Sequence, residues 1–141
     1  PPPLRRQRQM CIRDSLRVMP DEADYPAYLN WLYHSDATLT FPQTVVLRYK
    51  LQEPGVADAA VEGYSRWFVS RCKLLETALE DKEYLCSNRF TIADICVSYA
   101  FVVAESLGIH QAFKPNIKRY TEMLFEREAF KKSKSYKFEE K

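Results

Sequence analysis

The chain has 141 residues, of which 46% are hydrophobic, so it can bury one core and is not intrinsically disordered in composition. Its net charge is +2, but the first 15 residues alone carry +3, from Arg5, Arg6, Arg8 and Arg13 against Asp14. The remainder is close to neutral and gives no electrostatic reason to expect nucleic acid or an anionic membrane as a partner.

Residues 1–15 differ in character from everything that follows. After three prolines they read L-R-R-Q-R-Q-M-C-I-R-D-S, which resembles a translated sequencing adaptor. We therefore expect a non-native leader and leave it out of the fold reasoning. The alternative is a native basic arm that binds an acidic partner. The segment also lacks the apolar centre of a secretory signal.

The first predicted helix runs from about Tyr25 to Gln52. Proline and acidic residues at 20–24 suit a helix entry, where the helix dipole favours negative charge. Apolar side chains then recur three and four residues apart. Pro42 falls inside this helix and has no N–H to donate, so we expect a bend there.

The second predicted helix, Val56 to Glu80, has the clearest helical periodicity in the chain. Its predicted core set is Ala60, Tyr64, Trp67, Phe68, Cys72, Leu75, Ala78 and Leu79. Gly63 weakens a helix by ~1 kcal/mol relative to alanine, and we interpret it as a close helix crossing.

The third predicted helix, Ile92 to Leu107, is apolar nearly all round, which is typical of a helix buried in a bundle. It is too short for a bilayer, which needs ~20 apolar residues, and Gly108 is its predicted C-cap. A fourth helix opens at Pro115, followed by a short return at 129–130 and a charged tail at 133–141, and we expect the last eleven residues, 131–141, to be frayed. The predicted fold is all-α: one helical bundle with a long bent first helix and a buried central helix.

The stretch N-R-F-T-I-A-D-I opens the third helix. Thr91 and Asp94 have the spacing of a reciprocal capping box, which satisfies backbone N–H groups where water has little access. Phe90 and Ile95 have the spacing of a hydrophobic staple. The pattern therefore predicts a structural role for Asp94, with no partner in the sequence for a catalytic one.

The cysteines and histidines give no chemical motif. Four cysteines lack C-x-x-C spacing, and the two histidines lack metal-ligand spacing. We expect free thiols in a reducing cytoplasm and no metal site. Cys72 and Cys96 fall on predicted core faces, where thiols are usually inert.

Together these features resemble the C-terminal helical domain of the cytosolic glutathione S-transferases, in their bacterial-type form. The resemblance is carried by N-R-F-T-I-A-D-I, the approach L-E-D-K-E-Y-L-C, the close E-S-L-G-I, the ending R-E-A-F, and Y-L-N-W-L-Y-H-S-D-A-T-L in the first helix. It covers residues 19–132, and the predicted domain spans residues 16–132.

The resemblance implies a site along the first helix. Tyr33, Ala37, Thr40 and Phe41 would form one wall of the pocket for a small apolar electrophile. Asp36 would lie beside them, where it could approach the γ-glutamyl amine of glutathione across a homodimer. A His-Lys pair of related bacterial forms is missing near Thr40 and Phe41, which argues against a glutathione contact at that point. The alternative for all five residues is plain helix packing or a solvated face.

The resemblance also implies a missing part. The family's thioredoxin-like domain holds the catalytic residue and most glutathione contacts, and nothing upstream of Met19 resembles it. This chain alone is therefore expected to bind no cofactor and to be inactive, with glutathione as cosubstrate of the parent protein. Two alternatives are a non-catalytic transferase-like module that binds protein partners and an unrelated helical protein.

Overall fold

The computed structural model describes residues 16–135, so the predicted leader and residues 136–141 of the predicted tail lie outside it. The fold is all-α, as predicted. In chain order the helices are α1 (Tyr25–Tyr33), α2 (Phe41–Leu47), α3 (Asp58–Ala78), α4 (Ile92–Leu107), α5 (Pro115–Phe125) and α6 (Glu128–Ser135). Two π-helical segments, His34–Thr40 and Arg48–Gln52, follow α1 and α2, and His110–Ala112 forms a 3-10 turn. Within residues 16–135 no helix is long and apolar enough to cross a membrane.

Residues 25–52 form one continuous helical segment of alternating type. The π-helical segment His34–Thr40 comes immediately before α2, and the N–H of Phe41 bonds to the carbonyl of Asp36, five residues back. Pro42 lies in the first turn of α2, where a missing N–H costs least. The irregularity therefore begins ahead of Pro42, as an extra residue per turn. A change of direction at Pro42 stays a prediction.

The helix α3 buries only part of its predicted core set. Phe68, Cys72 and Leu75 are buried, but Trp67 is 38% exposed. A side chain at Gly63 would meet no atom within 4 Å, so the predicted close helix crossing at this residue is wrong. Helical spacing identified an apolar stripe correctly, but the stripe is wider than the face that the bundle covers.

The helix α4 is the centre of the bundle. Its buried residues include Ala93, Val97, Ala100, Phe101 and Ala104, and it packs against α1, α2 and α5. The predicted C-cap is confirmed: Gly108 adopts a left-handed conformation with φ 73°. Alanines along α4 let the neighbouring helices approach closely, while Phe101 fills the space between them.

Residues 16–24 dock on the start of α4. The carbonyl of Leu16 accepts a 2.8 Å hydrogen bond from the N–H of Ile92, and Val18 is fully buried. Glu22 forms an ion pair with Arg89 (2.7 Å), and Asp24 accepts a 2.6 Å bond from the N–H of Ser87. These contacts fix the entry of the chain against the loop before α4.

The helix α6 extends into the predicted charged tail and continues to Ser135. Fraying of the last eleven residues stays a prediction. The rings of Phe125 and Phe130 stack at 4.3 Å. Lys134 lies 4.6 Å from the Phe125 ring and 3.3 Å from the carboxylate of Glu105. These contacts stabilise α6 although its sequence is strongly polar.

Candidate functional site

An open groove of about 1000 Å³ lies beside the first helical segment. We call it the aromatic groove; its lining residues are Ser35, Asp36, Ala37, Thr40, Phe41, Thr44, Trp67, Ile95, Cys96 and Tyr99. Four of the five predicted pocket residues, Asp36, Ala37, Thr40 and Phe41, are among them. The fifth, Tyr33, is 73% exposed and does not line the groove.

The π-helical segment presents the predicted residues to the aromatic groove. The extra residue of a π turn changes which side chains share a face, and such turns often occur at functional sites. The hydroxyl of Thr40 donates to the carbonyls of Ser35 (2.9 Å) and Asp36 (2.8 Å). The hydroxyl proton of Thr40 is therefore already hydrogen-bonded within the helix. Thr40 can contact a ligand in the aromatic groove through its methyl group, or accept a hydrogen bond through an oxygen lone pair.

Two aromatic rings that line the aromatic groove, Phe41 and Trp67, contact each other and a third ring, Tyr64, which does not line it. Phe41 lies edge-on to Tyr64 (centroids 6.4 Å apart) and to Trp67 (6.0 Å), and Tyr64 and Trp67 are 5.4 Å apart. Phe41 is 51% exposed. Such edge-to-face contacts hold rings in place without burying them, so this wall is preformed and still accessible.

The α4 wall of the aromatic groove was missed from the sequence. Ile95 is 43% exposed and Tyr99 is 62% exposed, although both belong to the predicted buried helix. The sequence did contain a signal for this wall. A helix that is apolar all round has more apolar surface than the neighbouring helices of this bundle cover, so one apolar face stays exposed.

Cys96 also lies on the α4 wall. It is half-buried and lines the aromatic groove, so its assignment to a core face is wrong. Burial raises the pKa of the Cys96 thiol, a hydrogen bond with Ser35 opposes this, and the charge of Asp36 adds to it. The thiol is therefore held protonated near neutral pH and is not an activated nucleophile.

The start of α4 is built around one buried carboxylate. Thr91 and Asp94 form a capping box, in which Asp94 Oδ2 accepts from the Thr91 N–H (2.7 Å) and the Thr91 hydroxyl (3.0 Å). Asp94 Oδ1 accepts from the Leu85 N–H (3.1 Å) and the Tyr120 hydroxyl (2.6 Å). Asp94 is fully buried, and these four donors satisfy it. Burial, followed by the Asp94 charge, raises the pKa of Tyr120 well above its ordinary value.

The two predicted staple residues have other neighbours. Phe90 lies edge-on to Tyr84, with ring centroids 6.2 Å apart, and Arg127 lies 3.7 Å from the Phe90 ring centroid. Ile95 lines the aromatic groove. A staple contact between Phe90 and Ile95 therefore stays a prediction. Across residues 16–135 no three His, Cys, Asp or Glu side chains come together as a metal site.

Comparison with known proteins gives a consistent assignment. The family model for the glutathione S-transferase C-terminal domain matches residues 49–128, more than half of the chain. This match covers most of the bundle, including α3, α4 and α5. No curated protein sequence gives a significant match.

Solved structures share the fold. The glutathione transferases URE2P8 and URE2P6 from Phanerochaete chrysosporium, each crystallised with oxidized glutathione, superpose with a TM-score of 0.74 at 18% and 22% identity. Both matches cover 88% of this chain and 60% of the longer one. Ure2p in complex with glutathione gives a TM-score of 0.67 at 22% identity, covering 82% of this chain and 57% of that one. The chain thus spans about 60% of the length of these structures.

Proposed function

Because the chain belongs to the glutathione S-transferase C-terminal domain family, we propose that it is the helical half of a glutathione transferase that conjugates glutathione to apolar electrophiles. In this role the aromatic groove is the wall of the cosubstrate pocket. The parent protein acts as a homodimer in the cytoplasm. The observation that supports this best is the groove itself, with four large apolar side chains left exposed along it: Phe41, Trp67, Ile95 and Tyr99.

Small-molecule sites are concave and mostly apolar, with a few polar groups that orient the ligand. The aromatic groove has this composition, with Asp36 as its carboxylate and Thr40 and Thr44 as neutral polar groups. An electron-poor aromatic ring would lie against Phe41 and Tyr99, because aromatic pairs gain ~0.5–1.5 kcal/mol beyond area burial.

The conjugation reaction needs the thiolate of glutathione, because the thiol itself is a poor nucleophile. None of the described residues that line the aromatic groove is Lys, Arg or His, so no positive charge on this wall favours that ionisation. We therefore assign thiol activation and most glutathione contacts to a thioredoxin-like domain absent from residues 16–135. Asp36, exposed at the groove, is proposed to meet the γ-glutamyl ammonium.

The test joins this chain to the thioredoxin-like domain of a full-length relative in one polypeptide. We expect conjugation of a chloronitrobenzene electrophile to glutathione. Tyr99→Ala should raise KM for the electrophile about 5- to 30-fold, the loss of ~1–2 kcal/mol of ring contact. Leu74→Ala is the matched control, because Leu74 is 52% exposed but lies outside the aromatic groove.

Two outcomes would decide against the proposal. Equal KM values for Tyr99→Ala and Leu74→Ala would show that the electrophile binds elsewhere. A folded fusion that binds glutathione without conjugating any electrophile would favour the alternative, a transferase-like module that binds protein partners.

A further inference from the structure

A second cavity, of about 480 Å³, lies between the end of α4, the 3-10 turn and α5. We call it the acidic pocket; its lining residues are Glu105, His110, Gln111, Phe113, Lys118, Thr121, Glu122 and Phe125. It shares no residue with the aromatic groove. Its volume is within the ~300–1000 Å³ range of small-molecule sites.

The polar centre of the acidic pocket is Thr121. This residue is 8% exposed, and its Oγ1 has no hydrogen-bond partner among residues 16–135. A threonine hydroxyl in a helix can usually bond to a carbonyl of the preceding turn. A buried polar atom without a partner costs ~1–3 kcal/mol. The bundle thus carries a cost at the wall of a cavity, where a ligand could remove it.

The other polar groups of the acidic pocket are His110, Gln111, Lys118 and the carboxylates of Glu105 and Glu122. His110 Nδ1 is buried and has no hydrogen-bond partner among residues 16–135. Ionised carboxylates only accept hydrogen bonds, whereas Lys118 only donates them. The unpartnered hydroxyl of Thr121 and the two carboxylates can therefore accept hydrogen bonds from a ligand that donates, while Lys118 opposes a positive charge.

The floor of the acidic pocket is aromatic. Phe113 is 7% exposed and held edge-on by Phe101, with centroids 5.0 Å apart. Phe125 is held flat against Phe130 at 4.3 Å. Both rings are therefore held in place, so a planar apolar group can bind against them with little loss of side-chain freedom.

We propose that the acidic pocket binds a small arylalkylammonium compound. The aryl group lies on Phe113 and Phe125, and the ammonium donates to Thr121 Oγ1 and the carboxylate of Glu122. The charges favour Glu122 over Glu105 as the anchor, because Glu105 already pairs with Lys134 at 3.3 Å. Lys118 also lines the pocket and opposes a cation, so binding should be strengthened by Lys118→Met.

The test uses the complete 141-residue chain and 2-phenylethylamine, with 2-phenylethanol as the neutral analogue. We expect amide shifts in an NMR titration at residues 110–125, with the amine binding about tenfold more tightly than the alcohol, the effect of one charge-assisted hydrogen bond. Glu122→Gln should abolish the preference for the amine. Because Glu122 is exposed, this variant should fold normally.

Thr121→Val separates a ligand contact from a packing role. It removes the unpartnered hydroxyl at nearly constant volume, so the thermal midpoint should stay the same or rise, while amine binding should weaken about tenfold. The proposal is overturned if Thr121→Val and Glu122→Gln bind the amine as wild type does. It is equally overturned if the shifts appear at the aromatic groove instead.

Discussion

At the scale of single residues, Asp94 shows how a buried charge can be stabilised without an opposite charge. An unpaired carboxylate in the core would be very costly, but each oxygen of Asp94 accepts two hydrogen bonds. The donors come from the cap of α4, the loop at Leu85 and Tyr120 on α5. One side chain therefore joins three parts of the chain, and its removal should affect all of them.

Asp94→Ala is expected to destabilise the domain by ~3–5 kcal/mol, because it leaves several buried donors without an acceptor. A helix cap alone would cost only ~0.5–2 kcal/mol. Tyr120→Phe, which removes one donor, should cost ~1.5–3 kcal/mol. Denaturant unfolding measures both. A loss below ~2 kcal/mol for Asp94→Ala would mean that the network beyond the cap contributes nothing.

The three described thiols should differ in reactivity. Burial raises the pKa of both Cys72 and Cys86 to about 12, whereas Cys96 is half-buried on an open groove. We expect Ellman's reagent at pH 8 to modify Cys96 first in the native protein, and Cys72 and Cys86 only on unfolding. Cys96→Ser, in a Cys11→Ser background, should remove the native-state phase; persistence of that phase would contradict this order.

Cys72 and Cys86 also determine how the free energy of unfolding changes at alkaline pH. Their pKa in the folded state is raised above the ordinary value of 9, so the unfolded chain releases its protons first as pH rises. The stability that the folded state gains by keeping these two thiols protonated is fully present below pH 9. It is lost as pH rises from 9 toward about 12.

At the scale of elements, alanine substitutions at two glycines are expected to change the stability of the domain in opposite directions. Gly108 ends α4 at φ 73°, a conformation that disfavours a Cβ, so Gly108→Ala should cost ~1–2 kcal/mol. Gly63 lies in the middle of α3 with open space around it, so Gly63→Ala should stabilise by ~0.5–1 kcal/mol. Thermal unfolding of the two variants compares them directly. Equal shifts of the same sign would show that the backbone at one of these positions is assigned wrongly.

The docking of residues 16–24 should depend on pH. Hydrogen bonds from Arg89 and from the N–H of Met19 lower the pKa of Glu22 from 4.5 to about 2. The unfolded chain therefore takes up a proton before the folded chain does. The stability from Glu22 is present above pH 4.5 and lost as pH falls toward 2. Glu22→Gln should remove this component from the urea stability measured across that window, and Arg89→Met should do the same. If wild type and both variants lost the same amount of stability between pH 4.5 and about 2, this role of Glu22 would be contradicted.

Sequence patterns predicted where the helices lie better than which of their side chains are exposed. The bounds of α4 were predictable because Thr91, Asp94 and Gly108 each have a backbone role that local spacing reveals. The exposure of Trp67, Ile95 and Tyr99 was not, because periodicity identifies apolar faces without saying what covers them. The hydrogen bonds from Leu85 and Tyr120 to Asp94 could not be predicted from the sequence either, because only the tertiary fold brings these positions together.

At the scale of the whole molecule, the domain leaves much apolar surface uncovered on one side. Phe41, Trp67, Ile95 and Tyr99 are all at least 38% exposed and line one groove. Scattered exposed hydrophobic residues are ordinary, but a contiguous set marks a surface that binds something. Under the proposed function, the electrophile and the thioredoxin-like domain would together remove most of that surface from water.

The chain alone should therefore associate with itself and should not conjugate glutathione. Sedimentation velocity should show an average mass that rises with protein concentration, because the exposed rings bury one another. The double variant Phe41→Ser and Tyr99→Ser should remain monomeric at the same concentrations, while Leu51→Ser and Leu74→Ser, a matched exposed pair outside the aromatic groove, should not prevent association.

Conjugation is expected to stay at the uncatalysed rate, because no described residue that lines the aromatic groove carries a positive charge that would favour the glutathione thiolate. The measurement is the rate with a chloronitrobenzene electrophile at several protein concentrations, before and after heat denaturation. A rate proportional to native protein would place an activating group inside the helical domain. Cys96, beside Ser35 and Asp36, would then be the first residue to replace, since it is the one thiol among residues 16–135 that lines the aromatic groove.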